Sequence, residues 1–447
     1  MNRNYSEYFK DLILAYKNGV FETKINELLE NENEDKEKLC RQLSSLCGVD
    51  LGYSEDFAEK LKDEIKKYTG KEKIVTKINS TCESCAQGEG ACEASCPFDA
   101  ILMNEENTGR YIDVERCTDC GKCVDACKSG NIVDKVQFLP LFELINSDKP
   151  VIAAVAPAIA NQFNGANLNK MRTAFKNIGF TDMVEVAFFA DMLTLKEAVE
   201  FDAMVKNEDD FMITSCCCPM WVAMIKKVYG DLIKHVSPSV SPMIAAGRVM
   251  KKLNPDIKVV FVGPCIAKKS EAKEPDLLGD IDFVLTFQEV QEIFDALDVD
   301  PSKLSETPTI EYASRGGRLY ARTGGVSIAI KEAVELLFPN KYENLTEVQG
   351  NGVKECKALL NKVISGEIQG NFIEGMGCVG GCVGGPKAIL KMEEGTKMVN
   401  ECAENAEFKV ATQSEKMQEI LKDLDIKVLK DFLNHDKTNI FHRSFNK

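Results

Sequence analysis

Hydrophobic and polar positions divide this chain into segments of different periodicity. In residues 1–75 apolar side chains recur every three to four positions, as amphipathic helices require. From about residue 148, short apolar runs alternate with helical patterns, an order typical of buried parallel strands joined by crossover helices. The runs are Val151–Ala156, Met183–Phe188, Phe211–Ser215, Val259–Gly263 and Phe283–Phe287, and helical patterns follow at Leu195–Val205 and Gln288–Leu297. We therefore expect a helical N-terminal domain over 1–75, an α/β domain with mostly parallel sheets over 148–390, and a helical extension over 391–447.

Size and charge narrow the classes of protein that fit. The 447 residues are 44% hydrophobic, enough for two to four domains with a large core. A net charge of −15 argues against a nucleic-acid partner. Polar residues follow Met1 where a secretory signal would be apolar, and the longest apolar run, Val151–Ala160, is shorter than the roughly 18 residues of a membrane span. We expect a cytoplasmic protein without membrane segments.

The cysteine content points to metal chemistry. Eighteen cysteines stand beside only three histidines. A reducing cytoplasm disfavours a disulfide scaffold, so clustered cysteines indicate metal sites, and iron–sulfur clusters are the interpretation that fits so few histidines. Cys40, Cys47, Cys356 and Cys402 lie outside the clusters and are interpreted as core thiols.

Two cysteine runs in residues 76–140 predict a ferredoxin-like domain. The second run keeps the bacterial ferredoxin spacing, and the first has four extra residues between its second and third cysteines but keeps Pro97 after the last. In that arrangement each 4Fe–4S cluster takes three cysteines from one run and the fourth from the other. One cluster is expected on Cys82, Cys85, Cys92 and Cys127, and the other on Cys117, Cys120, Cys123 and Cys96. The alternative is a pair of structural zinc sites.

Four further cysteines lie far apart in sequence, within three segments of unusual composition. The segments are Thr214–Trp221, Gly263–Glu271 and Glu374–Pro386, and they contain Cys218, Cys265, Cys378 and Cys382. The first two begin where a predicted strand ends, which is where sites form in open α/β sheets. Thiolates from three loops, beside glycines that allow close backbone approach, suit an iron–sulfur cluster better than a disulfide.

These three segments resemble the signatures of the iron-only (FeFe) hydrogenases. The family carries Thr-Ser-Cys-Cys-Pro-x-Trp, Pro-Cys-x-x-Lys-x-x-Glu and Met-x-Cys-x-x-x-Cys motifs in this order, and the resemblance covers residues 78–390. The triple cysteine at 216–218 is similar to a variant group of the family. The resemblance implies reversible cleavage and formation of dihydrogen in an anaerobic setting, with electrons exchanged with a ferredoxin-type carrier.

The resemblance also implies a cofactor and the residues around it. The H-cluster of the family is a 4Fe–4S cube bridged by one thiolate to a di-iron unit with CO, cyanide and azadithiolate ligands, which maturation proteins install. Carried over, Cys382 is the bridge, Lys268 pairs with a cyanide, Glu271 orients nearby groups and Met376 packs on the di-iron unit. The residues that line the same pocket are Ala156, Pro157, Ala158, Met243, Gly263, Pro264 and Tyr320.

A proton relay follows from the same resemblance. Cys217 falls on the first relay position when Pro219 and Trp221 are aligned. Glu200 and Glu197 fall on the relay carboxylates, and Ser237 falls on the relay serine. The alternative for both glutamates is a solvated helix face, and the extra cysteine leaves Cys216–Cys217 open as the relay–ligand pair.

Three positions depart from the family pattern. Gly263 stands in place of methionine, Met243 in place of glutamine and Tyr320 in place of phenylalanine, changes expected to enlarge or re-polarise the pocket. Two other functions stay open: a hydrogen sensor, and a non-enzymatic iron–sulfur carrier of the cytosolic assembly type. Lys268, Met376 and the paired cysteines favour the enzyme, because a bare cube needs neither a cyanide partner nor a proton relay.

Overall fold

A computed structural model describes residues 3–30, 35–79, 90–105, 109–215, 217–308 and 312–445. Amphipathic helices fill the N-terminal part, as predicted. They are α1 (Arg3–Lys17), α2 (Phe21–Leu29), α3 (Lys36–Leu46) and α4 (Phe57–Lys66). Their buried side chains, such as Phe9 and Leu12, continue into the same hydrophobic core as the α/β part. Cys40 and Cys47 are buried there, in agreement with core thiols.

The next part consists of short elements around the two cysteine runs. They are β1 (Val75–Lys77), α5 (Ala91–Ala94), β2 (Ile101–Met103), β3 (Arg110–Ile112), α6 (Lys122–Ala126), β4 (Ile132–Asp134) and α7 (Phe138–Ile145). β1 pairs with β4 and β2 with β3, both antiparallel. Strands of three residues bury little apolar surface, so the cysteine loops between them carry much of the packing.

Two parallel sheets form the larger part of the chain. The first has the order β6-β5-β8-β9 and the second β10-β11-β7, and every pairing within them is parallel. The strands are β5 (Val151–Val155), β6 (Asp182–Glu185), β7 (Met212–Ile213), β8 (Lys258–Gly263), β9 (Phe283–Thr286), β10 (Glu347–Asn351) and β11 (Phe372–Met376). The mostly parallel α/β fold is therefore confirmed.

Helices cover both sheets and continue to the C-terminus. They are α8 (Leu168–Asn177), α9 (Val186–Met204), α10 (Pro219–Val228), α11 (Pro242–Leu253), α12 (Ala267–Glu271), α13 (Phe287–Ala296), α14 (Arg315–Leu319), α15 (Gly325–Leu337), α16 (Pro339–Tyr342), α17 (Val353–Ser365), α18 (Met392–Glu404), α19 (Glu415–Asp423) and α20 (His435–Thr438). Among the described residues, no helix has the length and apolarity of a membrane span.

The largest difference from the sequence prediction concerns the run Met183–Phe188. The strand ends at Glu185, and α9 begins at the next residue and runs through the predicted helix at Leu195–Val205. Nearly every residue of α9 up to Phe201 is buried. A helix buried all round has no polar stripe, so its first turns cannot be told from a buried strand by periodicity.

Candidate active site

The four distant cysteines lie beyond the carboxyl ends of three parallel strands. Cys218 is the N-cap of α10 after β7, Cys265 lies between β8 and α12, and Cys378 and Cys382 follow β11. Gly380 and Gly381, with φ of 82° and 84°, turn the chain between the last two cysteines. Only glycine adopts two successive positive φ values without steric cost, so this turn accounts for the glycine run.

Close packing of α10 against β11 fixes the relative positions of these loops. The Trp221 indole N–H donates a hydrogen bond of 2.8 Å to the Thr214 carbonyl oxygen. A side chain at Gly375 would overlap the Trp221 ring, and one at Gly377 would overlap Met220. The glycines therefore allow the close backbone approach that the sequence predicted.

The four thiols converge on one site. Burial, followed by the charges of Cys378, Cys218 and Cys382, holds the pKa of Cys265 well above its usual range. Burial also raises the pKa of Cys378 to about 12 and that of Cys382 to about 11. Such crowded thiols ionise together only when cations neutralise them, and the iron ions of a cluster supply that charge. The Gly377 backbone N–H lies 3.3 Å from Cys218 Sγ and donates to it.

Lys268 and Glu271 form an ion pair beside the thiols. Their side chains are buried, and Nζ lies 2.6 Å from Glu271 Oε2. Burial lowers the pKa of Lys268, but Glu271 and the thiols of Cys265 and Cys217 overcome this effect and raise it. The Phe261 ring lies 6.0 Å from Nζ, within the range of a cation–π contact. Lys268 therefore stays a cation at the edge of the cysteine site.

Gly263 does not enlarge the pocket, contrary to the sequence prediction. A Cβ atom at this position would lie 2.6 Å from the Phe261 ring and 3.2 Å from Ala156 Cβ. Phe261 precedes Gly263 by two residues on β8, so both project from the same face of the strand. The aromatic ring therefore fills the volume that a longer side chain at 263 would occupy.

The other predicted pocket residues lie on several elements. Ala156, Pro157 and Ala158 form the turn after β5, and Pro264 precedes Cys265. Met243 is buried on α11. Tyr320 is buried after α14, and its hydroxyl lies 2.8 Å from Thr194 Oγ1. The phenol thus adds a polar group whose hydrogen bond is satisfied on α9.

Cys217 and Met376 are in contact. The Cys217 thiol donates to Met376 Sδ over 3.7 Å, and Met376 is buried at the end of β11. Cys217 directly precedes Cys218, the N-cap of α10. Cys216 lies outside the described residues.

Three of the predicted relay residues are buried and make side-chain hydrogen bonds. Ser237 Oγ lies 2.7 Å from Glu200 Oε2, and Thr214 Oγ1 donates to Glu197 Oε2 over 2.7 Å. Glu197, Glu200 and Ser237 are all buried, so neither glutamate lies on a solvated helix face.

Glu197 is tuned to exchange a proton near neutral pH. Burial, followed by the charge of Glu200, raises its pKa to about 7, while Thr214 and Ser237 oppose the shift. Its Oε1 atom has no hydrogen-bond partner among the described protein atoms. A buried, unpartnered carboxylate oxygen is costly and indicates a place where a proton or water completes the site.

In the ferredoxin-like part, Cys96 lies near the cysteines of the second run. Burial is the main cause that raises the pKa of Cys123. The charges of the Cys120, Cys117 and Cys96 thiols raise it further. Backbone N–H groups donate to Cys96 Sγ over 3.3 Å and to Cys117 Sγ over 3.4 Å. Cys92 and Cys127 line one cavity of the second site, whereas Cys82 and Cys85 lie outside the described residues.

The ferredoxin-like part contacts the four-cysteine site directly. Cys120 lies close enough to Cys378 to raise the pKa of its thiol, although burial is the main cause. Gly121, with φ of 78°, packs on Ile266, and a Cβ atom at Gly121 would overlap the Ile266 side chain. Cys120 and Cys265 each neighbour this contact in sequence, so the two cysteine sites meet here.

The Gly121→Val variant is expected to transfer electrons between the two sites at least about tenfold more slowly, because the added side chain separates them. Stopped-flow oxidation of the reduced protein measures this rate. Gly279→Val serves as the control, because Gly279 also has a positive φ but no neighbouring atoms within 4 Å. Equal rates in both variants would contradict a transfer route through this contact.

Comparison with known proteins agrees with this geometry. The model for the iron-only hydrogenase large subunit, C-terminal domain, matches residues 149–386, more than half of the chain, and a 4Fe–4S dicluster domain matches residues 74–128. The chain belongs to the iron-only hydrogenase family.

The relatives include both enzymes and an assembly protein. The chain is 29% identical to iron hydrogenase 1 of Clostridium pasteurianum over 65% of this chain and 68% of that protein. It is 28% identical to the NADP-reducing hydrogenase subunit HndD of Solidesulfovibrio fructosivorans over 60% of this chain and 55% of that protein. The cytosolic iron–sulfur assembly component 3 of Mus musculus is 23% identical over 70% and 81% of the two chains. This chain therefore spans about half to four fifths of these relatives.

A solved structure shares the fold of this hydrogenase-family chain. A variant of the [FeFe]-hydrogenase HydA1 from Chlamydomonas reinhardtii covers 67% of this chain and 96% of its own, with a TM-score of 0.57 and 22% identity.

Two buried charged groups of this hydrogenase-family chain were missed by the sequence interpretation. Lys269 forms an ion pair of 3.0 Å with Asp134 of β4 and also pairs with Glu289 of α13, so it ties the ferredoxin-like part to the first parallel sheet. Glu374 accepts hydrogen bonds of 2.8 Å from the Gly324 and Ser327 N–H groups at the start of α15. Motif membership could have singled out Glu374, since it directly precedes Gly375, but nothing in the sequence marks Lys269 as the ion-pair partner of Asp134.

Proposed function

We propose that the protein is a hydrogenase that catalyses the reversible reaction of dihydrogen to two protons and two electrons. The observation that carries this proposal is the buried group of Glu197, Ser237 and Glu200, in which the pKa of Glu197 is raised to about 7. A protein that only carries an iron–sulfur cube has no need for a buried carboxylate with a pKa of about 7.

The donor set of the site fits an H-cluster. Cys218, Cys265, Cys378 and Cys382 would hold the 4Fe–4S cube, with Cys382 as the bridging thiolate. The bound cofactor would supply an open iron site and a pendant amine that together split dihydrogen. Lys268 would donate to a cyanide with the N–H groups that Glu271 leaves available, and Met376 would exclude water as a soft apolar side chain.

The chain's own residues would then move the proton. Cys217 directly precedes Cys218, the N-cap of α10, and its thiol contacts Met376. From Cys217 the proton would pass to Glu197, through the Ser237 hydroxyl, and on to Glu200, whose Oε2 atom lies 2.7 Å from Ser237 Oγ. We therefore assign Cys217 and Cys218 as the relay–ligand pair.

Electrons would travel by the contact between Cys120 and Cys378. Two 4Fe–4S clusters in the ferredoxin-like part would pass the electrons to an external ferredoxin-type carrier. Plant-type ferredoxins have reduction potentials of about −400 mV. Maturation proteins would install the di-iron unit. The triple cysteine at 216–218 supports membership of the variant group of the family.

The main alternative is a non-enzymatic iron–sulfur assembly protein, which the similarity to cytosolic iron–sulfur assembly component 3 supports. A hydrogen sensor is the second alternative. The assembly protein and the sensor would both keep the fold. Of the three functions, only the hydrogenase and the sensor require the di-iron unit.

Maturation of the purified protein with the di-iron cofactor separates these functions. We expect CO and cyanide infrared bands together with dihydrogen evolution from reduced methyl viologen. Bands with only trace turnover would support the sensor, and the absence of both bands and turnover would support the assembly protein.

The pH dependence of Glu197 provides an independent test. In protein without the di-iron unit, we expect the infrared C=O band of the protonated Glu197 carboxyl group to disappear with a midpoint near pH 7. Glu197→Gln removes this band. Glu200→Gln lowers the midpoint, because the negative charge of Glu200 helps to raise the pKa of Glu197. Glu208→Gln, at an exposed position, is the control; a midpoint near that of an ordinary glutamate in the wild type would contradict the assigned role.

A further inference from the structure

The C-terminal segment, residues 441–443, packs on one side of the buried group of glutamates and serines. The Val240 N–H donates to the Phe441 carbonyl oxygen over 2.9 Å, and the Arg443 N–H donates to the Pro238 carbonyl oxygen over 2.9 Å. Ser239 and His442 face each other in this antiparallel bridge. The segment lies outside residues 149–386, the region that the hydrogenase-family model matches.

The hydrogen-bond network continues past Glu200 towards this bridge. Ser237 Oγ lies 2.9 Å from Ser239 Oγ. Lys196 Nζ donates to Ser239 Oγ over 2.9 Å and also pairs with Glu200. Lys196 and Ser239 are both buried. The two serine hydroxyls can each donate in either direction, which is what a chain of proton transfers requires.

His442 lies between this network and the protein surface. Its half-buried imidazole lines an open cavity of about 990 Å³, together with Arg248, Asp276 and Lys437. The charged and titratable groups that face it are Lys196, Glu200, Arg248 and His435. The His435 ring lies edge-on to it, with the ring centroids 5.1 Å apart.

We propose that His442 connects the buried carboxylates to solvent, so that protons enter and leave through Ser239 and the surface cavity, with Lys196 as a positioning residue for Glu200. The biological purpose of this exit rests on the proposed function. The exit itself consists of protein side chains, so it is present in protein that lacks the di-iron unit. The C-terminal segment thus completes the proton route.

The proposed transfers leave no group consumed. The protonated Glu200 carboxyl gives its proton to the Ser237 hydroxyl, which passes its own proton to Ser239. The Ser239 hydroxyl in turn gives up its proton to an imidazole nitrogen of His442 as it accepts one. The imidazolium then releases a proton to water in the cavity. Burial, followed by the charges of Lys196 and His435, lowers the pKa of His442 from its usual value, so the neutral imidazole accepts and returns a proton readily at neutral pH.

The Lys196 ammonium group sets the charge of the network. Two buried carboxylates share this one cation, so with Lys196 charged the network carries one net negative charge when both glutamates are ionised. Burial and the charge of Glu200 raise the pKa of Glu197 to about 7, although the charge of Lys196 opposes the shift. The network is therefore poised to store a single proton next to the exit.

The test follows hydrogen–deuterium exchange of the buried carboxyl group in protein without the di-iron unit. The infrared band of the protonated carboxyl shifts when the protein is mixed rapidly with heavy water. For His442→Phe we expect this shift to be slowed by about tenfold or more, and we expect added imidazole to restore the rate through the open cavity.

The matched control is His435→Phe, which removes the neighbouring imidazole and is expected to change the rate less than about twofold. If His442→Phe fails to fold, His442→Gln is judged by the same criteria. An exchange rate equal to that of the wild type, or slowing that imidazole does not relieve, would overturn the exit. Because this readout needs no di-iron unit, failure of the exit is distinguishable from failure of the hydrogenase proposal.

Discussion

Cys382→Ala is expected to abolish retention of the di-iron unit and all dihydrogen turnover. Cys382 lies on the turn that Gly380 and Gly381 form, close to the thiols of Cys218 and Cys265. The Val383 N–H donates to the Ala321 carbonyl oxygen over 3.0 Å and holds this turn in place, so alanine at 382 leaves a methyl group where the bridging thiolate is expected. Infrared spectroscopy after maturation and desalting measures the loss.

The control for this variant is Cys40→Ala, which removes a buried thiol from α3 far from the site in sequence. It should retain CO and cyanide bands after the same treatment. Persistent bands in Cys382→Ala would show that another residue bridges to the di-iron unit.

Cys217→Ser is expected to slow turnover by about 10²–10⁴-fold while the iron content stays unchanged. A serine hydroxyl fits the volume of the thiol, but its much higher pKa prevents it from passing a proton on at neutral pH. In the wild type, the Cys217 thiol already contacts Met376 Sδ, and Met376 is the residue proposed to pack on the di-iron unit. Dihydrogen evolution from reduced methyl viologen is measured together with the iron content. Slow turnover at normal iron content indicates a defect in proton transfer, whereas a loss of iron indicates a defect in cluster assembly.

Two further variants complete this test. Cys402→Ser removes a half-buried thiol of α18 and should leave turnover unchanged. Cys216→Ser addresses the alternative assignment of the triple cysteine. If Cys216→Ser is slow and Cys217→Ser retains normal activity, the relay role belongs to Cys216.

Glu197 and Glu200 show which features of the proton relay could be predicted from the sequence. Spacing along one helix brought Glu197 and Glu200 to the same side of α9, since residues three apart are neighbours on a helix. Their protonation behaviour depends on burial and on Thr214 and Ser237, which the chain brings to α9 from β7 and from the segment that follows α10. Such long-range contacts leave no periodicity in the sequence.

By itself, the sequence determined the parallel α/β class, the two cysteine runs and the set of loops that carry Cys218, Cys265, Cys378 and Cys382, because strand periodicity and local cysteine spacing are short-range properties. Only the tertiary structure decided that Phe261 fills the space beside Gly263, that Lys269 rather than Lys268 ties the ferredoxin-like part to the sheet, and that His442 lies over Ser239. Each of these depends on which distant segments pack together. That choice follows from the whole core, so no single stretch of sequence contains it.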